Sequence, residues 1–251
     1  MPKTTSIQFD HVACGVHRVD EIAPLIEREL GARPHRGGPG LGFRGGQWSF
    51  GGEGRLELIE PDGAPGGFLH RFLAGHGPGI HHVTFKVPDI HAARDRAVEL
   101  GFDVIGFSDE SVAWKECFLH PKQAGGVVVQ MAEVDPDSDD DNWVPFEAFT
   151  TGTPVRVVTL RGLRLVSRDE ARTRRLFVEL LGATSSAIHA AGAPLPGHTL
   201  RWEGSPLELH VILDPKAEME GPVALEFDSF GAEFPSELPS LLGATLLQLE
   251  S

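Results

Sequence analysis

The sequence predicts an α+β fold of paired βαβββ modules followed by a second, degenerate copy. Three observations predict it. A strand, a helix and three strands recur in the same order over residues 6–61 and 79–134; the helices stop at glycines, at Gly31, Gly101 and later Gly182; and a weaker echo of the pattern restarts near residue 156.

Each element follows from its periodicity. "SIQFDHVACGV" reads as a strand, "VDEIAPLIEREL" places apolar residues at helical spacing before Gly31, and strands around "RPHRG", "GFRGGQWSFGG" and "GRLELIEP" are separated by glycine turns. After the short helical piece "GGFLHRFLAGHG", the second module reads "IHHVTFKV", "DIHAARDRAVEL" up to Gly101, "DVIGFSDE", "WKECFLHP" and "GGVVVQMAEV". Residues 135–155 open on an acidic low-complexity run and lack periodicity, as an exposed linker does. The expected domains are therefore 1–134 and 156–251. The second begins with "TLRGLRLVS", the helix "RDEARTRRLFVELL" up to Gly182, "HTLRWEG" and "SPLELHVILD". A shortened copy follows, in which "GPVALEFDSF" echoes "GIHHVTFKV" and "GATLLQLE" echoes "GGVVVQMAE".

Bulk composition narrows the function. With 251 residues, 41% hydrophobic and 23% charged, the chain is ordinary globular material, and a net charge of -14 speaks against a nucleic-acid backbone as partner. Small molecules are the expected partners. No apolar run reaches the roughly 20 residues that span a bilayer, and "MPKTTSIQFDHV" lacks the apolar core of a signal peptide. No membrane partner is expected, and the expected location is cytoplasmic. Cys14 and Cys117 are too few for a disulfide framework or a thiolate metal site and are read as reduced and structural.

Chemistry enters with the adjacent histidines of "GIHHVTFKV". In a strand, His81, Val83, Phe85 and Val87 share one face, while His82, Thr84 and Lys86 share the other. The first face is core, and His82 opens onto a cleft. Glu57, between Leu56 and Leu58, reads as a carboxylate in a buried strand, which demands a cation. His11 in "FDHVAC" and Gln130 in "VVVQMAE" are polar in the same way. His11 and His82 lie on the first strand of their modules and Glu57 and Gln130 on the last, so pseudo-two-fold pairing of the modules brings the four to one centre. That donor set suits Zn²⁺, Ni²⁺, Co²⁺, Mn²⁺ or Fe²⁺.

The motifs "DHVA", "LELIEP", "GIHHVTFKVPDI" and "FLHPKQAGGVVVQ" resemble those of the vicinal oxygen chelate superfamily, which includes glyoxalase I, extradiol dioxygenases, and fosfomycin- and bleomycin-resistance proteins. Within it, residues 5–134 look most like methylmalonyl-CoA epimerase. The resemblance implies a half-open barrel holding one divalent metal on His11, Glu57, His82 and Gln130. The sequence departs from the family at two points. Epimerases tend to carry Gln or Glu second and Glu fourth, whereas here Glu is second and Gln fourth. Proton transfer beside a carbonyl also calls for paired carboxylates, and "GFRGGQWSFGG" contains no acid, which leaves Glu57, or Glu116 in "WKECF", as base. Arg44 and Gln47 on the cleft-lining strand, with Lys122 in the turn "LHPKQAGG", are the candidate substrate contacts.

The second half sets Ala224 where His82 stands and Leu163 where His11 stands, while Glu208 and Gln248 persist opposite Glu57 and Gln130. It is expected to be metal-free, serving as a homodimer surface or as a wall over the substrate cleft. The expected function is metal-dependent enolisation of a small carbonyl compound or acyl thioester, of epimerase, isomerase or lyase type. Two alternatives stand beside it: an Fe(II) extradiol-type dioxygenase, because two histidines and one carboxylate approximate its metal triad, and a non-catalytic small-molecule binding or resistance protein, which the missing second carboxylate favours.

Overall fold

The computed structural model describes residues 5–135, 137, 138, 143–187 and 196–249. The first module is β1 (Gln8–Gly15), α1 (Val19–Leu30), β2 (Arg33–Gly40), β3 (Phe43–Ser49) and β4 (Arg55–Pro61), followed by α2 (Phe68–His76). Helix α1 ends because Gly31 takes a left-handed conformation, φ 69°, and its N–H returns to the carbonyl of Glu27. The second module is β5 (Gly79–Lys86), α3 (Ile90–Glu99), β6 (Val104–Ser108), β7 (Trp114–Leu119) and β8 (Val128–Val134). Asp89 caps α3, its carboxylate accepting from the backbone N–H groups of His91 and Ala92.

The third module is complete: β10 (Leu160–Ser167), α4 (Glu170–Thr173) continuing as a π-helix over Arg174–Leu180, β11 (Thr184–Ala187), β12 (Gly197–Arg201) and β13 (Glu208–Leu213). The fourth is cut to β14 (Gly221–Asp228), α5 (Leu238–Leu242) and β15 (Thr245–Leu249), so the shortened copy read from sequence lacks its two middle strands. A two-residue strand, β9 (Val144–Pro145), lies between the halves in sequence. The strands form two mixed sheets, ordered β6-β7-β8-β5-β1-β4-β3-β2-β9 and β11-β12-β13-β10-β14-β15.

The described residues fall into two compact units built from interleaved segments. One unit takes residues 1–10, 82–139 and 162–223. Its core centres on Phe9, stacked on Phe85 at 4.9 Å, with Trp202 edge-on to Phe9 and Phe177 beside both Phe85 and Trp202. The other takes residues 11–81, 140–161 and 224–251, with Phe50 packed on Phe227 and α1 against α5.

The acidic part of the expected linker lies largely outside the described residues, at 136 and 139–142. From Trp143 onward, the segment is pinned rather than free. Strand β9 pairs with β2, Phe146 and Phe149 pack on Trp48, and the buried carboxylate of Glu27 accepts from Trp48 Nε1 at 2.9 Å and from the Thr150 N–H at 2.9 Å. Two aromatic rings with apolar surface to bury, and a buried carboxylate needing donors, tie down a stretch that its composition presented as exposed. Among the described residues, no helix is long and apolar enough to cross a membrane.

Candidate functional site

Parallel register positions the site. Strand β1 pairs with β4 so that Ala13 stands opposite Glu57, and β5 pairs with β8 so that Thr84 stands opposite Gln130. His11 and His82 each lie two residues before those partners, on the same face of their strands. The equivalence of the two modules thus extends to single residues.

In the first module, β3 adds Gln47 directly across from Glu57. His11 Nε2 lies 2.6 Å from Glu57 Oε2, and Gln47 Nε2 donates to Glu57 Oε2 at 3.3 Å while standing 3.4 Å from His11 Nδ1. All three side chains are buried, and Leu56 and Leu58 on either side of Glu57 fill the core behind the strand. A carboxylate in such a place is stable only with positive charge or donors around it.

In the second module, the matching face carries a chain of hydrogen bonds. Thr84 Oγ1 donates to Gln130 Oε1 at 2.6 Å, Gln130 Nε2 donates to Glu116 Oε2 at 2.7 Å, and Trp114 Nε1 donates to the same oxygen at 2.8 Å. His82 is buried on this face. His81 turns the other way and packs on Phe72 and Phe68 of α2, with ring centroids 4.9 and 5.4 Å away. Burial pushes its imidazole pKa down to about 4, against the opposing pull of the Glu57 charge.

Among the described residues, His11, Glu57 and His82 form the one group of three metal-ligating side chains, each offering a ligand atom within 4.8 Å of the others. The donor set fits a divalent ion: two imidazoles and a carboxylate suit borderline metals, and atoms this close can share a centre at bond lengths of about 2.0–2.2 Å. Gln130 contributes an amide oxygen on the face it shares with Thr84 and Glu116.

Of the expected substrate contacts, Gln47 stands beside His11 and Glu57, and Arg44 does not. Arg44 and Gln47 are three apart on one strand and so face opposite sides; Arg44 pairs with Glu60, not with the ligand group. Lys122 sits exposed in the turn after β7, its backbone N–H donating to His120 Nδ1. Glu60 and Glu133 hold the helices that follow the first strands of their modules. Glu60 accepts from the N–H of Val19, the first residue of α1, at 2.6 Å, and Glu133 from that of Ile90, the first residue of α3, at 3.0 Å. Arg44 and Lys115 neutralise the pair from across the sheet. Each glutamate stands three residues after a candidate ligand, Glu57 or Gln130, so the repeat held the signal.

The second half keeps the framework and changes the chemistry. Gly162 stands opposite Glu208 as Ala13 stands opposite Glu57, which makes Leu160 rather than Leu163 the counterpart of His11. A side chain at Gly162 would meet the Glu208 carbonyl at 1.8 Å. Arg201 occupies the place of Gln47 across the antiparallel pair and binds the Glu208 carboxylate at 2.6 Å. Gln248 pairs with Phe227, one residue out of register with Gln130, so it faces the other side; there it accepts from Phe230 N–H and donates to the Ala232 carbonyl.

Comparison with known proteins agrees with this architecture. Residues 9–181 match the family model described as a glyoxalase-like domain. The chain is 40% identical over 86 residues to the ethylmalonyl-CoA/methylmalonyl-CoA epimerase of Cereibacter sphaeroides, covering 32% of this chain and 62% of that protein, just under two thirds of its length. It is 31% identical over 137 residues to the mitochondrial methylmalonyl-CoA epimerase of Homo sapiens, covering 50% of this chain and 73% of that one. A variant of 4-hydroxymandelate synthase from Streptomyces coelicolor is similar in fold, with a TM-score of 0.64 over 91% of this chain and 72% of its own at 17% identity. With the family model spanning more than half its length, the chain belongs to the glyoxalase-like family of the vicinal oxygen chelate superfamily.

Proposed function

We propose that the chain is a divalent-metal-dependent enzyme that moves a proton on the carbon beside the carbonyl of a small carbonyl compound or acyl thioester. The observation that carries this reading is the grouping of His11, Glu57 and His82 at matched register positions. Those three side chains would hold the ion, with the Gln130 oxygen as fourth donor. Bound there, a divalent cation supplies Lewis-acid stabilisation of negative charge on the substrate oxygens. A carboxylate must take the proton and return it. Glu57 offers one from within the ligand group, and Glu116 offers another on the face it shares with Gln130. Gln47 stands across from Glu57 in place of an acid, so the chain does not carry a symmetric pair of bases.

The two epimerases to which the chain is similar point to acyl-CoA thioesters as the substrate class. The test is proton exchange. Protein reconstituted with Co²⁺, Mn²⁺, Ni²⁺ or Zn²⁺ and incubated with methylmalonyl-CoA in deuterated water should exchange the hydrogen beside the thioester, and His82→Ala should lose the exchange. Absence of exchange with every thioester and small carbonyl compound tried would overturn the reading.

One observation favours a second reading. Two histidines and one carboxylate also compose the ligand set of non-haem Fe(II) oxygenases. Oxygen consumption by the Fe(II)-loaded protein with a catechol, together with no thioester exchange, would select it. Stoichiometric ligand binding without turnover of either kind would select a binding protein.

A further inference from the structure

Gln130 is clamped at both ends of its amide. Its nitrogen faces a carboxylate that cannot donate, and its oxygen faces a hydroxyl donor at 2.6 Å. The reversed amide would set its oxygen against the Glu116 carboxylate, two acceptors in contact. Glu116 is itself held by the Trp114 indole N–H on the same oxygen, and Trp114 stands two residues before it on β7, along the same strand face. The clamp thus runs Trp114, Glu116, Gln130, Thr84 across β7, β8 and β5, with a fixed donor at one end and a hydroxyl at the other.

We propose that Glu116 is a positioning residue whose task is to fix the Gln130 amide with its oxygen turned toward Thr84. The oxygen keeps a second lone pair after accepting from Thr84, so the same clamp makes Gln130 an oxygen donor of defined direction for the metal. That last step rests on the metal reading above; the clamp itself does not. A base role for Glu116 and this positioning role make different demands on the residue. Proton transfer needs a carboxylate, whereas positioning needs only an acceptor oxygen. In Glu116→Gln, the Trp114 N–H still selects the new amide's oxygen, and that oxygen can still accept from Gln130.

The experiment compares wild type, Glu116→Gln, Glu116→Ala and Thr84→Val. The side-chain NH₂ resonances of Gln130, identified by their loss in Gln130→Leu, are followed for hydrogen exchange in metal-free protein. Co²⁺ affinity is measured separately by chelator competition. Wild type and Glu116→Gln should show similarly slow amide exchange, and Glu116→Ala should exchange at least about tenfold faster. Co²⁺ binding should follow the same order, weakening about 10- to 100-fold in Glu116→Ala and in Thr84→Val while staying near wild type in Glu116→Gln. Unchanged amide exchange in Glu116→Ala overturns the positioning role whatever the metal result. Protected exchange in a wild type that binds no Co²⁺ overturns the donor role of Gln130 and the metal reading with it, and leaves the clamp standing.

Discussion

His11 Nε2 and Glu57 Oε2 lie 2.6 Å apart, and both side chains are buried. Their strands are parallel neighbours, so the contact is set by register rather than by a flexible loop. Removing the imidazole strips a buried carboxylate of its 2.6 Å partner, and the Gln47 amide at 3.3 Å is a weaker donor. His11→Ala is therefore expected to destabilise the metal-free protein by about 3 kcal/mol, measured by urea unfolding. A loss smaller than about 0.5 kcal/mol would show that Glu57 does not depend on its neighbour.

The two capping glutamates make a paired prediction. Glu60 and Glu133 each accept from the first N–H of a helix, so Glu60→Ala and Glu133→Ala should each cost about 1–2 kcal/mol. Arg44→Ala should cost less than about 1 kcal/mol, because its partner is capped already and the arginine side chain is 66% exposed. Thermal unfolding of the three variants measures this. In an active enzyme, Arg44→Ala should also leave KM unchanged, and a rise in KM would return Arg44 to the substrate site.

Burial pushes the thiols of Cys14 and Cys117 up to about 12. At pH 8, neither carries appreciable thiolate while folded, and both return to the ordinary range on unfolding. Alkylation by iodoacetamide should be at least about 100-fold slower in native protein than in urea. Labelling of either cysteine at the denatured rate under native conditions would contradict the packing around β1 and β7.

The register positions of His11, Glu57, His82 and Gln130 were legible in the sequence because the modules repeat. His11 with His82, and Glu57 with Gln130, occupy equal places in equal strands, and the structure preserves that register. Alternation along a strand carries further information. Arg44 and Gln47 differ by an odd number, so they cannot share a strand face, whereas the one-residue offset of Gln248 from Gln130 is set by strand pairing and not by the spacing of the motif. The Glu27 contacts had no local signal. Their partners Trp48 and Thr150 lie 21 and 123 residues away.

Glu27 tests that anchoring. Glu27→Ala removes the acceptor for Trp48 Nε1 and for the Thr150 backbone, leaving buried donors unmatched, at an expected cost of about 1–3 kcal/mol. The segment should loosen before the molecule unfolds. Limited proteolysis should cut within residues 143–158 faster in the variant than in wild type, and equal cleavage rates would show that the aromatic contacts of Phe146 and Phe149 suffice.

The most direct test of the central claim is metal content, measured by elemental mass spectrometry on protein purified without a histidine tag, in wild type and in His82→Ala. About one divalent ion per chain in wild type, and none retained by the variant, is the result expected of a centre built on His11, Glu57 and His82. Equal metal in both proteins, or none in wild type even after incubation with Zn²⁺, Co²⁺, Ni²⁺, Mn²⁺ and anaerobic Fe²⁺, would contradict it.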